Sequence, residues 1–144
     1  MAQTIVVVED NLERQQLFHR ALDEAGYAVL LRTNLRQAAQ AVRTVPLDAL
    51  ILSLMFHNLS VGWELIQRLR QSAATAHVPV IIANADNFVR TVLPEKLVDP
   101  ATAAGASGVW LLAPPVTGEA VVAVVAQALA HPAAAPPPPP AAPL

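Results

Sequence analysis

Five short apolar runs punctuate the chain: TIVVV (4–8), YAVLL (27–31), ALILS (49–53), PVIIA (79–83) and GVWLL (108–112). Runs of this length, apolar without strict alternation and separated by helical patterns, predict strands of a parallel sheet covered on both faces. From Leu12 to Ala25 the residues Leu12, Leu17, Phe18, Ala21, Leu22 and Ala25 recur at three- and four-residue steps. That is one face of a helix, with Asp10 or Asn11 placed to cap its start and Gly26 to end it. A second helix is expected from Leu35 to Val45, stopping before Pro46, and a third from Val61 to Gln71. The third turns Leu65, Ile66 and Leu69 inward and leaves Arg68 and Arg70 to water. Between Ala83 and Gly108 the prolines at 94 and 100 break the pattern, and a short helix, a loop and a further helical turn are expected. A last helix over 118–130 has Thr117 as its N-cap and Glu119 in its first turn, where the helix dipole favours an acid. The expected architecture is a doubly wound α/β domain over residues 1–130, with a five-stranded parallel sheet in the flavodoxin-like order 2-1-3-4-5. Residues 131–144, HPAAAPPPPPAAPL, have nothing to bury and read as a disordered or polyproline II tail or linker.

Composition narrows the function. A chain of 144 residues holds one domain with a real core. Charged residues make up 14%, against about 25% in an average soluble domain. The net charge of −2 and the scattered Lys and Arg residues offer no field for nucleic acid or an anionic membrane. Without cysteine there is no disulfide, thiolate metal site or thiol nucleophile. The start, MAQTIVVVEDN, lacks the basic and long apolar regions of a signal peptide, and the apolar run VVAVVAQALA (121–130) is too short to span a bilayer. A cytoplasmic location is therefore expected. His19, His57, His77 and His131 show no zinc-type spacing, and Trp63 and Trp110 read as packing residues.

In a doubly wound sheet the residues just past the strand ends share one edge, and ligands bind there at the switch point. The first strand ends at Glu9 and Asp10, the third at Ser53, the fourth at Asn84 and the fifth at Leu112 and Ala113. Two adjacent carboxylates before a helix start are the kind of donor set that holds a hard cation such as Mg²⁺. Taken in order, VVVEDN, GYAV (26–29), DALILSLM, GWELIQRLR (62–70), VPVIIANA (78–85) and AGASGVWLLAPP (104–115) make the sequence resemble the receiver domain of two-component response regulators. The resemblance runs from residue 3 to about 130. It implies that Glu9 and Asp10 are the paired acids that help bind Mg²⁺, that the phosphoacceptor aspartate falls on Ser53, and that the switch hydroxyl falls on Asn84. The lysine of the fifth strand falls on Leu112, or on Ala113 if one residue is inserted, and the carbonyl offered to the metal on Met55.

Three of those five working groups are changed. A carboxylate attacks a phosphoryl donor as an anion, whereas a serine hydroxyl is neutral and needs a base, a role open to Glu9 or Asp10. Loss of the third carboxylate leaves a weak Mg²⁺ site, if any, and no other cofactor is expected. The plain structural alternatives are a hydrogen-bonded strand-end serine, an acid pair that merely caps the first helix, and a turn asparagine. The resulting expectation is an atypical receiver, not an enzyme, that does not undergo ordinary aspartyl phosphorylation. It would act through a protein partner or a homodimer, with no nucleic acid and no membrane. The last helix, GEAVVAVVAQALA, is apolar almost all round, more than one sheet-facing stripe requires. Val121, Val122, Val125 and Leu129 are accordingly expected to line an interface, on the face that receivers build from helix 4, strand 5 and helix 5, and Val125→Glu to disrupt it. The alternatives are a Mg²⁺-dependent or serine phosphate-accepting signalling domain, and a small-molecule sensor using a pocket lined by Ser53, Asn84 and Leu112. No effector domain is expected within the chain, which reads as a stand-alone module or one cut from a longer protein at the Pro-rich segment.

Overall fold

A computed structural model describes residues 2–53, 59–83, 108–112 and 115–130, with the side chains of 59–63 excepted. The expectations for Met55, His57, Asn84, Ala113, His131, the Trp63 side chain, the 84–107 segment and the 131–144 tail lie outside these residues. The strands are β1 Thr4–Val8, β2 Ala28–Arg32, β3 Ala49–Leu52, β4 Val80–Ala83 and β5 Val109–Leu112. The helices are α1 Leu12–Glu24, α2 Leu35–Thr44, α3 Leu59–Gln71 and α4 Gly118–Ala130, the last being the helix expected over 118–130. All strand pairings are parallel and the sheet order is β2-β1-β3-β4-β5.

Successive side chains of each strand feed opposite faces. Val6, Val8, Leu50, Leu52, Val80, Ile82, Val109 and Leu111 pack with Ala38 of α2 and Leu65, Ile66 and Leu69 of α3. The alternate residues Ile5, Val7, Ala49, Ile51, Ile81, Trp110 and Leu112 pack with Phe18 and Leu22 of α1 and with Val121, Val124, Val125 and Ala128 of α4. Both faces are thus dry, which is why the runs are apolar throughout. Trp110 is a packing residue, as expected.

Local signals explain the helix ends. Asn11, rather than Asp10, caps α1: its side chain accepts from the Arg14 N–H at 3.0 Å. Past the other end, Gly26 adopts φ +93°, a left-handed conformation that suits glycine. Thr117 caps α4 by accepting from the Ala120 N–H at 3.2 Å. The α1 and α4 backbones approach closely, since a Cβ on Gly118 would lie 3.3 Å from the Ala21 Cβ.

Two expectations need correction. Arg70 is half-buried rather than left to water: it donates from Nη1 to the Val78 carbonyl at 2.6 Å, tying α3 to the entry of β4. Its burial pulls the guanidinium below its ordinary pKa. Arg68, in contrast, is exposed and pairs with Glu64 one turn back. Val121 and Val125 are fully buried against the sheet, so they belong to the core and cannot line an outer interface. A valine-rich helix looks apolar all round partly because alanines fill much of its outer rows: Ala123, Ala126 and Ala130 are exposed along with Glu119 and Gln127. Val122 and Leu129 are half-buried.

Phe18→Ala is expected to cost about 3–5 kcal/mol in urea denaturation. Val125→Glu should abolish the cooperative transition by burying an unpaired charge. Ala126→Glu, on the outer row of the same helix, should change stability by no more than about 0.5 kcal/mol. Similar behaviour at 125 and 126 would show that the helix is rotated from this placement.

Candidate functional site

The pairing of β1 with both neighbours builds the site. Val8 lies in register with Arg32 on one side and with Leu52 on the other. The next residues extend the ladder: the Glu9 N–H donates to the Arg32 carbonyl at 2.9 Å and the Ser53 N–H to the Val8 carbonyl at 3.0 Å. Glu9 and Ser53 therefore stand side by side at the carboxyl edge. Strand alternation directs both toward the α1 and α4 face, in the same layer as Ala83 and Leu112.

Glu9 is 0% exposed and Ser53 1%. A carboxylate with no access to water must find its partners in the protein. Oε1 accepts from the Asn11 N–H at 2.9 Å. Oε2 accepts from the Arg14 Nε at 2.9 Å and from the Ser53 hydroxyl. The Glu9 carbonyl accepts from the Gln15 side-chain amide at 2.7 Å, fixing the backbone from which the carboxylate projects. Lying at the N-terminus of α1, the acid is also favoured by the helix dipole. Arg14 is 33% exposed, so its guanidinium joins the pocket to solvent. The hydrogen bond it donates to Glu9 raises the Arg14 pKa above its ordinary value, burial opposes this, and the charges of Glu9 and Asp10 add to the rise. Arg14 is a cation at every physiological pH.

Of the residues singled out from the sequence, Glu9 and Ser53 come together, whereas Asp10 is exposed beside them. Leu112 closes the far side of the layer as a buried apolar residue with no cation to offer. Of the three residues named for a sensor pocket, Ser53 gives its hydroxyl to Glu9 and Leu112 packs in the core, while Asn84 lies outside the described residues. Arg14 was not among the sequence candidates. Its signal was nonetheless present: a cation in the first turn of a helix opposes the dipole, so it calls for a nearby acid.

Among the described residues, the Glu9 carboxylate as placed has no oxygen free for Mg²⁺. The ion prefers six oxygen ligands in near-octahedral geometry. Here Oε2 of the buried acid already serves a guanidinium and a hydroxyl, and Oε1 serves a backbone N–H. Among the described residues, no three His, Asp or Glu side chains converge on a common point.

This is a parallel α/β domain of the doubly wound class, with an acid pocket at the switch point of its sheet. Residues 5–98 match the response regulator receiver domain, and the chain belongs to that family. The chain is 31% identical over 85 residues to the phosphate regulon transcriptional regulatory protein PhoB of Pseudomonas aeruginosa, a match covering 59% of this chain and 37% of that protein. Among solved structures it is similar to the chemotaxis response regulator CheY4 of Vibrio cholerae, with a TM-score of 0.68 and 20% identity over 89% of this chain and 99% of that one. It is also similar to the receiver domain of the sensor histidine kinase PA1611 of Pseudomonas aeruginosa PAO1, which holds a magnesium ion in its active-site cleft. There the TM-score is 0.70 and the identity 21%, over 91% of this chain and 100% of that one. At these identities the two structures establish the shared fold. No helix among the described residues is long and apolar enough to cross a membrane.

Ser53→Ala should cost about 1 kcal/mol by removing one donor from a buried carboxylate. Glu9→Gln should cost more, about 1–2 kcal/mol, because it breaks the charged contact while leaving Arg14 able to reach water. Chemical denaturation of both variants checks the order, and a larger loss at Ser53 would contradict the geometry.

Proposed function

We propose that this domain is an atypical receiver that does not form an aspartyl phosphate and signals through protein–protein contact. The observation that carries this reading is the state of Ser53. It occupies the strand end next to the pocket acid, is almost wholly buried, and gives its hydroxyl to Glu9. A neutral, committed hydroxyl lacks the anionic oxygen from which an acyl phosphate forms. Leu112 supports the same reading, since an apolar residue there offers a transferred phosphoryl group no countercharge.

The geometry also invites a second reading. A hydroxyl hydrogen-bonded to a carboxylate resembles a nucleophile with its base, which would let Ser53 accept phosphate. Burial weighs against it: a phosphoryl donor must approach in line, and Ser53 is 1% exposed. The same carboxylate oxygen is shared with Arg14.

For the contact surface we favour the outer side of α4 with the adjoining edge strand β5. The helix carries a single charge, Glu119, along thirteen residues, and its exposed rows are mostly alanine. A smooth surface of low charge loses little on desolvation when a second copy or another protein covers it.

Incubation with acetyl phosphate and Mg²⁺, followed by intact-mass measurement, should show no added phosphoryl group. A stable adduct on Ser53 would favour the serine-accepting reading instead. For the surface, Ala123→Glu combined with Ala126→Glu should abolish self-association or partner capture while preserving the thermal midpoint. Unchanged sedimentation and capture would place the contact elsewhere.

A further inference from the structure

The pocket carries one more inference, which extends the reading above to the regulation of the same site. We propose that the Arg14 guanidinium takes the place of a divalent cation in this receiver, so that the acid pocket is neutralised from within and does not respond to Mg²⁺.

The inference starts from Glu9. A fully buried carboxylate needs a countercharge within contact distance, because an isolated ion in a low-dielectric interior carries a prohibitive solvation penalty. Among the described residues the countercharge is Arg14, whose Nε lies 2.9 Å from Oε2. The sequence places it there at a local cost. Arg14 is the third helical residue after the Asn11 cap, at the end of α1 where the dipole repels a cation. Its contact with Glu9, and the nearby Asp10 charge, offset that repulsion. The guanidinium is covalently part of the chain and loses no translational freedom on reaching the acid, whereas Mg²⁺ must shed tightly held water. A Mg²⁺ ion would have to displace Arg14 and then find its remaining ligands without a third carboxylate, because the adjacent strand end presents the Ser53 hydroxyl where a carboxylate would be needed. The intramolecular cation therefore prevails at cellular Mg²⁺.

The consequence is a pocket whose charge balance is fixed by the sequence. Chelation or addition of Mg²⁺ leaves it unchanged, and control of the domain passes to whatever binds its surfaces.

The test compares the intact chain with Arg14→Ala by thermal unfolding, with and without about 10 mM MgCl₂, alongside calorimetric Mg²⁺ titration. The wild-type midpoint should not move and no saturable heat should appear. Arg14→Ala should unfold at lower temperature without Mg²⁺, because Glu9 loses its countercharge. Added Mg²⁺ should then raise its midpoint by roughly 3–6 °C, with a dissociation constant on the order of 1 mM. Glu9→Gln combined with Arg14→Ala should abolish that response. A wild-type protein that Mg²⁺ stabilises would overturn the proposal, and so would an Arg14→Ala variant indifferent to the ion. If the alanine variant does not fold, Arg14→Gln, which keeps most of the side-chain volume without the charge, is held to the same criteria. A phosphoryl adduct on Ser53 would overturn the reading of the preceding subsection only, since Mg²⁺ binding is measured here without a phosphodonor.

Discussion

The parallel pairing of β1 with both β2 and β3 is the constraint on which the rest of the molecule depends. It sets Val8 beside Arg32 and Leu52, and the ladder continues one residue further on each side. That extra step carries Glu9 and Ser53 to the same depth at the carboxyl edge and points them to the same face. A shift of one residue would send Glu9 to the α2 and α3 face, where Leu50, Leu52, Ile66 and Leu69 leave no partner for a carboxylate. Register, burial and the position of the acid are one structural fact.

Once the acid is buried, the start of α1 has to answer it. The turn after Glu9 supplies the Asn11 N–H to one oxygen and the Arg14 guanidinium to the other, while Gln15 holds the Glu9 carbonyl. Asn11 does two jobs, since its side chain caps the helix as its N–H serves the acid. Loop, cap and site are therefore a single hydrogen-bonded unit. The receiver pocket of this chain is organised around satisfaction of its own acid.

Much of this was legible in the residues. The five apolar runs fixed the number of strands, because a sheet buried on both faces demands side chains that are apolar without alternation. Strand positions agreed to within a residue at each described end, and Gly26 and Thr117 marked helix ends by their backbone and capping preferences. Glu9 and Ser53 were recognisable as neighbours, since the doubly wound order puts the ends of the first and third strands together. Arg14 was harder to see, because its role depends on reaching back five residues to a side chain whose burial is a tertiary property. Arg70 was misread for a related reason: helical periodicity gave its angle around α3, while the carbonyl of Val78 that draws it inward comes from the following loop.

The helix over 118–130 marks the same boundary. Its composition determined that it would be a helix and that most of its surface would be apolar. Which valines face the sheet follows from how the helix packs on α1 and the strands: Gly118 comes close to Ala21, and Val121 and Val125 lie in the core. The sequence by itself determined the strands, the four described helices, their order and the acid at the first strand end, because each follows from local pattern and known pairing rules. Only the tertiary structure decided that this acid is buried and must be neutralised, and which side of the last helix meets solvent, because burial and helix rotation depend on atoms distant in the chain.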